Sequence, residues 1–126
     1  MKIILLAGAA GAAGTLLRYF SVKAVNVLTP DSCWGTLTVN VLGAFLAGFL
    51  FVLCKNKLSA FQEYFPVLFI GFLGAFTTFS TFALESVRYL FEAQYSKFFL
   101  NVFLQNFCGF GAAAGGFFLG KILFRN

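Results

Sequence analysis

The sequence predicts an all-α membrane protein of four transmembrane helices, the third broken near its middle. Three observations carry that expectation. Of 126 residues, 60% are hydrophobic and 10% charged, whereas an ordinary soluble domain is about 25% charged. The charges gather into short stretches that separate four long uncharged runs. The third run holds glycines and paired threonines at its centre, which weaken an apolar helix at membrane depth. A soluble fold of this size would expose large apolar patches, so the bilayer is the natural solvent.

About 20 residues of helix cross the roughly 30 Å of hydrocarbon. The first span begins at Ile3 and reaches that length by including Arg18 and continuing to Ser21. The apolar cores of the other three run from Cys33 to Cys54, from Tyr64 to Leu84 and from Phe98 to Gly120. Allowing for helical flanks, the expected helices cover 3–21, 33–54, 64–87 with a break near 74–77, and 97–124, in a single transmembrane domain of residues 1–126. Lys2 before an apolar, small-residue run also suits a cleaved signal peptide. The run continues past any plausible cleavage site, and three further spans would still make this a membrane protein.

The connections hold the charges: Lys23 and Asp31, then Lys55, Lys57 and Glu63, then Arg88, Glu92 and Lys97. One side of the membrane would carry Lys2, Lys55, Lys57, Lys121 and Arg125, the other Arg18, Lys23, Arg88 and Lys97. Orientation normally follows an excess of Lys and Arg on the cytoplasmic side, and here the two sides nearly balance. A chain without that bias can insert either way up, or another signal can fix its orientation.

No histidine is present, which removes the commonest metal ligand and the commonest acid–base group at neutral pH. Cys33, Cys54 and Cys108 are odd in number, far apart and in no CxxC spacing, so they are expected as packed thiols. No nucleophile, base and orienter stand together, and an enzyme is not expected. Nor is a nucleic-acid partner. Close helix packing is expected from Gly8, Gly11 and Gly14, from Ala44 and Gly48, and from the pairs Gly111 with Gly115 and Gly116 with Gly120.

The most informative stretch is Gly71-Phe72-Leu73-Gly74-Ala75-Phe76-Thr77-Thr78-Phe79-Ser80-Thr81-Phe82. A break here frees carbonyls and amides, and discontinuous helices at membrane depth usually mark ion sites. Phe79 and Phe82 share one helical face, with Thr78, Ser80 and Thr81 interleaved as hydroxyl donors. Ring edges are electropositive, so edges and hydroxyls can replace part of a small anion's hydration shell. From these residues alone a packing face, with hydroxyls bonded to the i−4 carbonyls, is the more ordinary reading. The second span adds Gly35-Thr36-Leu37-Thr38-Val39-Asn40-Val41-Leu42-Gly43, with the Asn40 amide inside an apolar helix. The first adds Gly14 and, four and five residues on, Arg18 and Tyr19.

In this order, and in a chain of this length, the three stretches resemble the Fluc/CrcB fluoride channels, and the resemblance spans essentially the whole chain. It implies a fluoride-selective channel that passively exports the ion across the cell membrane, the inner membrane of a bacterium, to limit its toxicity. It also implies an antiparallel two-fold homodimer with two pores. By that resemblance Asn40, Phe79, Ser80, Thr81, Phe82 and Glu85 border the fluoride path, and Arg18 lies near the vestibule. The carbonyls of Gly74 and Thr77, from both subunits, hold a structural sodium ion. Asn106 is expected toward the pore, although Val102 stands where many relatives have tyrosine. For Arg18, interfacial snorkelling is an alternative role, and Glu85 could simply mark where the helix leaves the membrane.

The rival function is a small dual-topology proton-coupled exporter, which needs a membrane-embedded carboxylate in its first helix. This first span has none. An assembly or regulatory subunit is compatible with the composition but gives no reason for Asn40 or for the hydroxyl–phenylalanine stretch.

Overall fold

The computed structural model describes residues 1–29, 31–56 and 59–124. Lys57 and Arg125, counted above in the charge balance, lie outside the described residues. Among the described residues four helical spans are long and apolar enough to cross a membrane: Lys2–Leu28, Cys33–Asn56, Gln62–Phe91 and Tyr95–Leu123. The first is α1 (Lys2–Leu28) and the second α2 (Cys33–Asn56). The third is composite, with π-helical Val67–Leu73, the single turn α3 (Gly74–Phe76), a non-helical step at Thr77 and Thr78, and α4 (Phe79–Phe91). The fourth is α5 (Tyr95–Leu123).

The helices run longer than the apolar stretches that announce them. A charge ends the favourable immersion of a helix but not its hydrogen bonding, so α1 continues through Lys23 to Leu28. The turn from α4 into α5 is tight: Ala93 takes a left-handed φ of 54°, and the Gln94 amide returns to the Tyr89 carbonyl at 2.8 Å.

Pairings along the spans define an up-down-up-down bundle. At one end the Lys2 ammonium lies 3.4 Å from the Tyr64 hydroxyl, and the Asn56 amide donates to the Phe124 carbonyl at 3.5 Å. At the other end Asp31, between α1 and α2, meets the junction of α4 and α5. Its Oδ1 accepts from the buried Tyr89 hydroxyl, its Oδ2 lies 3.0 Å from Lys97 Nζ, and Arg88 stands 3.8 Å away. The Tyr89 bond first, and Lys97 after it, hold the Asp31 carboxyl below the usual carboxylate range against the opposing effect of burial.

Backbone contact between small residues forms the seam of the bundle. α2 packs most extensively on α5, and α1 on the first half of the third span. A Cβ at Gly48 would run into the Ala113 carbonyl, and one at Gly116 into the Phe45 carbonyl. Across the second contact, a Cβ at Gly14 would strike the Phe72 carbonyl, and one at Gly71 would stand 2.6 Å from the Ala7 carbonyl. Of the two glycine pairs in the fourth span, Gly116 and Gly120 lie in the seam, whereas Gly111 and Gly115 meet nothing within 4 Å. Five residues separate Gly111 from Gly116, which turns the first pair onto another face of the helix.

Candidate functional site

The third span loosens before it breaks. Pro66, without an amide hydrogen, precedes the π-helical turns, and Gly71 lies within them. Thr77, at φ −88° and ψ 160°, and Thr78, at φ −150° and ψ 107°, are extended. The break is therefore at Thr77–Thr78, the C-terminal edge of the expected 74–77 window.

Every backbone group that the break exposes needs a partner at this depth. The Thr77 amide and hydroxyl both reach back to the Leu73 carbonyl, at 3.0 Å and 2.9 Å. The Thr77 carbonyl accepts from Arg18 Nη1 at 3.3 Å. Asn40 takes both polar groups of Thr78: its Oδ1 accepts from the Thr78 amide at 2.8 Å, and its Nδ2 donates to the Thr78 carbonyl at 3.1 Å. The same Nδ2 donates to Gln105 Oε1 at 3.0 Å. The Thr78 side chain caps α4 by accepting from the Thr81 amide at 3.2 Å. It also meets the hydroxyls of Thr81 at 2.9 Å and Ser80 at 3.3 Å.

A polar file continues from this clamp. The Thr36 hydroxyl donates to Glu85 Oε1 at 2.9 Å, Asn101 Nδ2 donates to Ser86 Oγ at 3.0 Å, and Ser86 donates to the Phe82 carbonyl at 2.8 Å. All five residues except Phe82 carry buried polar side chains. Two atoms of the file have bonding capacity to spare: Gln105 Nε2 and Glu85 Oε2 are buried without a hydrogen-bond partner among the described residues. A buried amide donor with nothing to donate to is costly. An anion lacking its water would satisfy it.

The aromatic pair is split by burial. Phe82 is 8% exposed and Phe79 is 77% exposed, with ring centroids 5.4 Å apart and planes at 72°. This edge-to-face arrangement presents the positive edge of one ring toward the other. Phe79 lines an open cavity of ≈ 380 Å³ with Asn40, Gly43, Gly74 and Thr77. On the other side of the break a cavity of ≈ 720 Å³ is lined by Arg18, Lys23, Thr36, Thr78, Thr81 and Glu85, among others. Asn40 and Thr78 thus meet at the break, Thr78, Thr81 and Glu85 share the wall of the larger cavity, Phe82 is buried on α4, and Ser80 and Thr81 lie exposed in the first turn of α4, which Thr78 caps.

The fourth span adds a residue that the sequence motifs do not single out. Asn106 is exposed and bonds its own helix at the Val102 carbonyl, 2.7 Å away, so within the chain it does not join the file. Gln105 does, and Asn101 one turn before it. The i, i+4 spacing of two amides in an apolar helix was the available signal. It is masked by Asn106, one residue on.

The CrcB-like, camphor-resistance (CrcB) family model matches residues 5–117. A protein of Campylobacter jejuni strain RM1221, named fluoride-specific ion channel FluC, is 43% identical over 128 residues, covering 99% of this chain and 99% of its own. Another of that name, from Solidesulfovibrio magneticus, is 43% identical over 115 residues, 90% of this chain and 92% of its own. A third, from Desulforapulum autotrophicum, is 39% identical with the same coverage.

The chain belongs to the CrcB family.

The family match covers α1 through most of α5, and with it Arg18, Asn40, the break and Gln105. This CrcB chain is a multi-pass membrane protein with four apolar helical spans, one of them interrupted.

Proposed function

We propose that the chain is a fluoride-selective channel, a passive conduit rather than an enzyme, lying in the inner membrane of a bacterium and exporting fluoride. The observation that carries the reading is the polar clamp at Thr77–Thr78. It opens a helix at membrane depth, gives the Thr77 and Thr78 backbone groups partners within the chain, and leaves an unspent donor on Gln105, the amide that accepts from Asn40. Fluoride is small and expensive to dehydrate, so a path for it needs many short donors and no fixed cation that would trap it. Its relatives' name agrees. The proton-coupled exporter is disfavoured, since α1 carries no carboxylate.

Two finer statements belong to this reading. The first is assembly as an antiparallel two-fold homodimer from chains inserted both ways up. Phe79, Ser80, Thr81 and Asn106 are exposed on a single chain, and polar groups turned toward lipid are costly, so a second copy over this face gives them partners. The near balance of basic residues between the two ends supports insertion in both orientations.

The second is a structural sodium ion held by the Gly74 and Thr77 carbonyls of both copies. The amide that would close a helical turn on Gly74, that of Thr78, is turned to Asn40, which suits a free carbonyl there. Thr77 has one lone pair left beyond Arg18. Carbonyl oxygens suit a hard cation, which would tie the two copies together without an acidic residue.

The deciding experiment is fluoride efflux from liposomes holding the purified protein, with chloride as control. Rapid fluoride efflux, indifferent to the direction of a sodium gradient, is expected. Chloride-only or cation-coupled flux would overturn the reading. C-terminal reporter fusions should label both faces of the membrane, and a single labelled face would remove dual insertion.

A further inference from the structure

The ≈ 720 Å³ cavity beside the break is lined by two cations from α1, Arg18 and Lys23, and they are in different situations. Arg18 is half-buried and donates to the Thr77 carbonyl, which fixes its guanidinium against the backbone of the break. Lys23 is exposed and has no carboxylate partner among the described residues. Its ammonium lies 6.0 Å from the centre of the Tyr19 ring, one turn earlier on the same helix and on the same cavity wall. A cation over a ring face at that distance is weakly held. It is placed but not neutralised. The carboxyl lining this cavity, Glu85, is buried, with Oε1 accepting from Thr36; among the described residues Oε2 is unpartnered and neither oxygen pairs with Lys23.

We propose that Lys23 is the anion-collecting residue of this vestibule, raising the local concentration of a small inorganic anion at the mouth, and that Arg18 is a positioning residue for the break. The inference rests on the channel reading, with fluoride as the anion. A compact, uncommitted ammonium at the wall of a cleft with apolar flanks focuses potential into the cleft. An exposed charge of this kind is screened by salt, over about 10 Å at 0.1 M and about 30 Å at 0.01 M. Its contribution therefore carries a signature that a structural role lacks. Lys23 lies outside the motif positions read from the sequence.

The experiment records fluoride currents through the full-length protein in neutral-lipid bilayers, at fixed low fluoride, with ionic strength set by an impermeant salt. Lys23→Gln should lower the current about two- to fivefold at roughly 0.01 M ionic strength and converge on the unmodified protein near 1 M. Lys23→Arg should behave as unmodified, and Lys23→Glu should lie below Lys23→Gln. Equal currents for Lys23→Gln and the unmodified protein at low salt would overturn the inference. So would a deficit that persists undiminished at high salt. If the unmodified protein passes no fluoride, the channel reading fails and takes this inference with it. Robust unmodified current, with Lys23→Gln either equal to it at low salt or lower by a factor that does not change with salt, removes Lys23 alone.

Discussion

Replacing Asn40 by Ala tests whether the clamp holds the break. The side chain makes three hydrogen bonds, to the Thr78 amide, the Thr78 carbonyl and Gln105. Side-chain hydrogen bonds in membrane proteins average about 0.6 kcal/mol, and typical intramolecular ones reach about 1.5 kcal/mol. Their loss should cost about 2–4 kcal/mol, with the upper part of that range reached if the vacated Thr78 groups stay dry. For a chain of this size, that lowers the melting midpoint by on the order of 10 °C. Asn40→Asp is the sharper companion. It keeps the acceptor for the Thr78 amide but removes both donors and sets negative charge against two carbonyl oxygens and any passing anion. The assay pairs thermal melting in detergent, followed by size-exclusion chromatography, with fluoride efflux from liposomes. Asn40→Ala should lose midpoint and flux together, and Asn40→Asp should lose more flux than midpoint. An Asn40→Ala protein that melts within 1–2 °C of the unmodified one, a shift of under about 1 kcal/mol, would show that the break is held by something else.

Phe79→Ile and Phe82→Ile should each cut fluoride efflux severely in a folded protein, because isoleucine keeps apolar volume but has no positive edge. The buried Phe82 should also cost about 1–2 kcal/mol in packing, and normal efflux in both variants would take these rings out of the path. Gly116→Ala should destabilise by at least about 1–3 kcal/mol, since its Cβ meets a backbone carbonyl, while Gly115→Ala, with nothing within 4 Å, should be far milder in the same melting assay. Equal effects would remove the seam as the source of stability. Asp31 has its pKa depressed in the folded state, so its contribution is complete above the unfolded value of about 3.9 and is lost as pH falls through the folded one. The melting difference between the unmodified protein and Asp31→Asn should therefore hold level from pH 8 to about 5 and shrink below about 4. A difference that grows with acid would reverse the assignment.

The spans were legible because the bilayer imposes one requirement on every residue of a run, and composition reports it directly. The break was legible for a related reason: glycine and threonine lower helix stability in any surroundings, and Gly71, Gly74, Thr77 and Thr78 fall together. What remained hidden was which helix face turns inward. α5 has apolar residues all round, so Gln105 and Asn106 look alike until α2 is packed against one of them. In the sequence Asp31 is a loop charge like any other, because nothing local announces that Tyr89, 58 positions later, ends beneath it. Their meeting needs the tight turn at Ala93 and the run of α1 alongside the third span. Those are products of assembly, absent from any window of sequence. The sequence allows Arg18 to snorkel or to face a vestibule, and its bond to the Thr77 carbonyl is a further arrangement that the packing of α1 on α3 creates.

The interruption at Thr77–Thr78 also has an electrostatic consequence. A continuous helix shows its dipole only at its two ends, which in a spanning helix lie in headgroups and water, where the partial charges are screened. Cutting the third span at mid-depth brings two such ends into the interior. The first half finishes on carbonyls, equivalent to roughly half a negative charge, and α4 starts on amides, equivalent to roughly half a positive charge. Both stand within a few residues of one another in a medium of low dielectric, where partial charges act at far greater strength than in water. A single two-residue step thus furnishes one region hospitable to a cation and an adjoining one hospitable to an anion. Neither depends on a side chain that could be protonated or titrated, so these two partial charges persist whatever the pH on either side of the membrane.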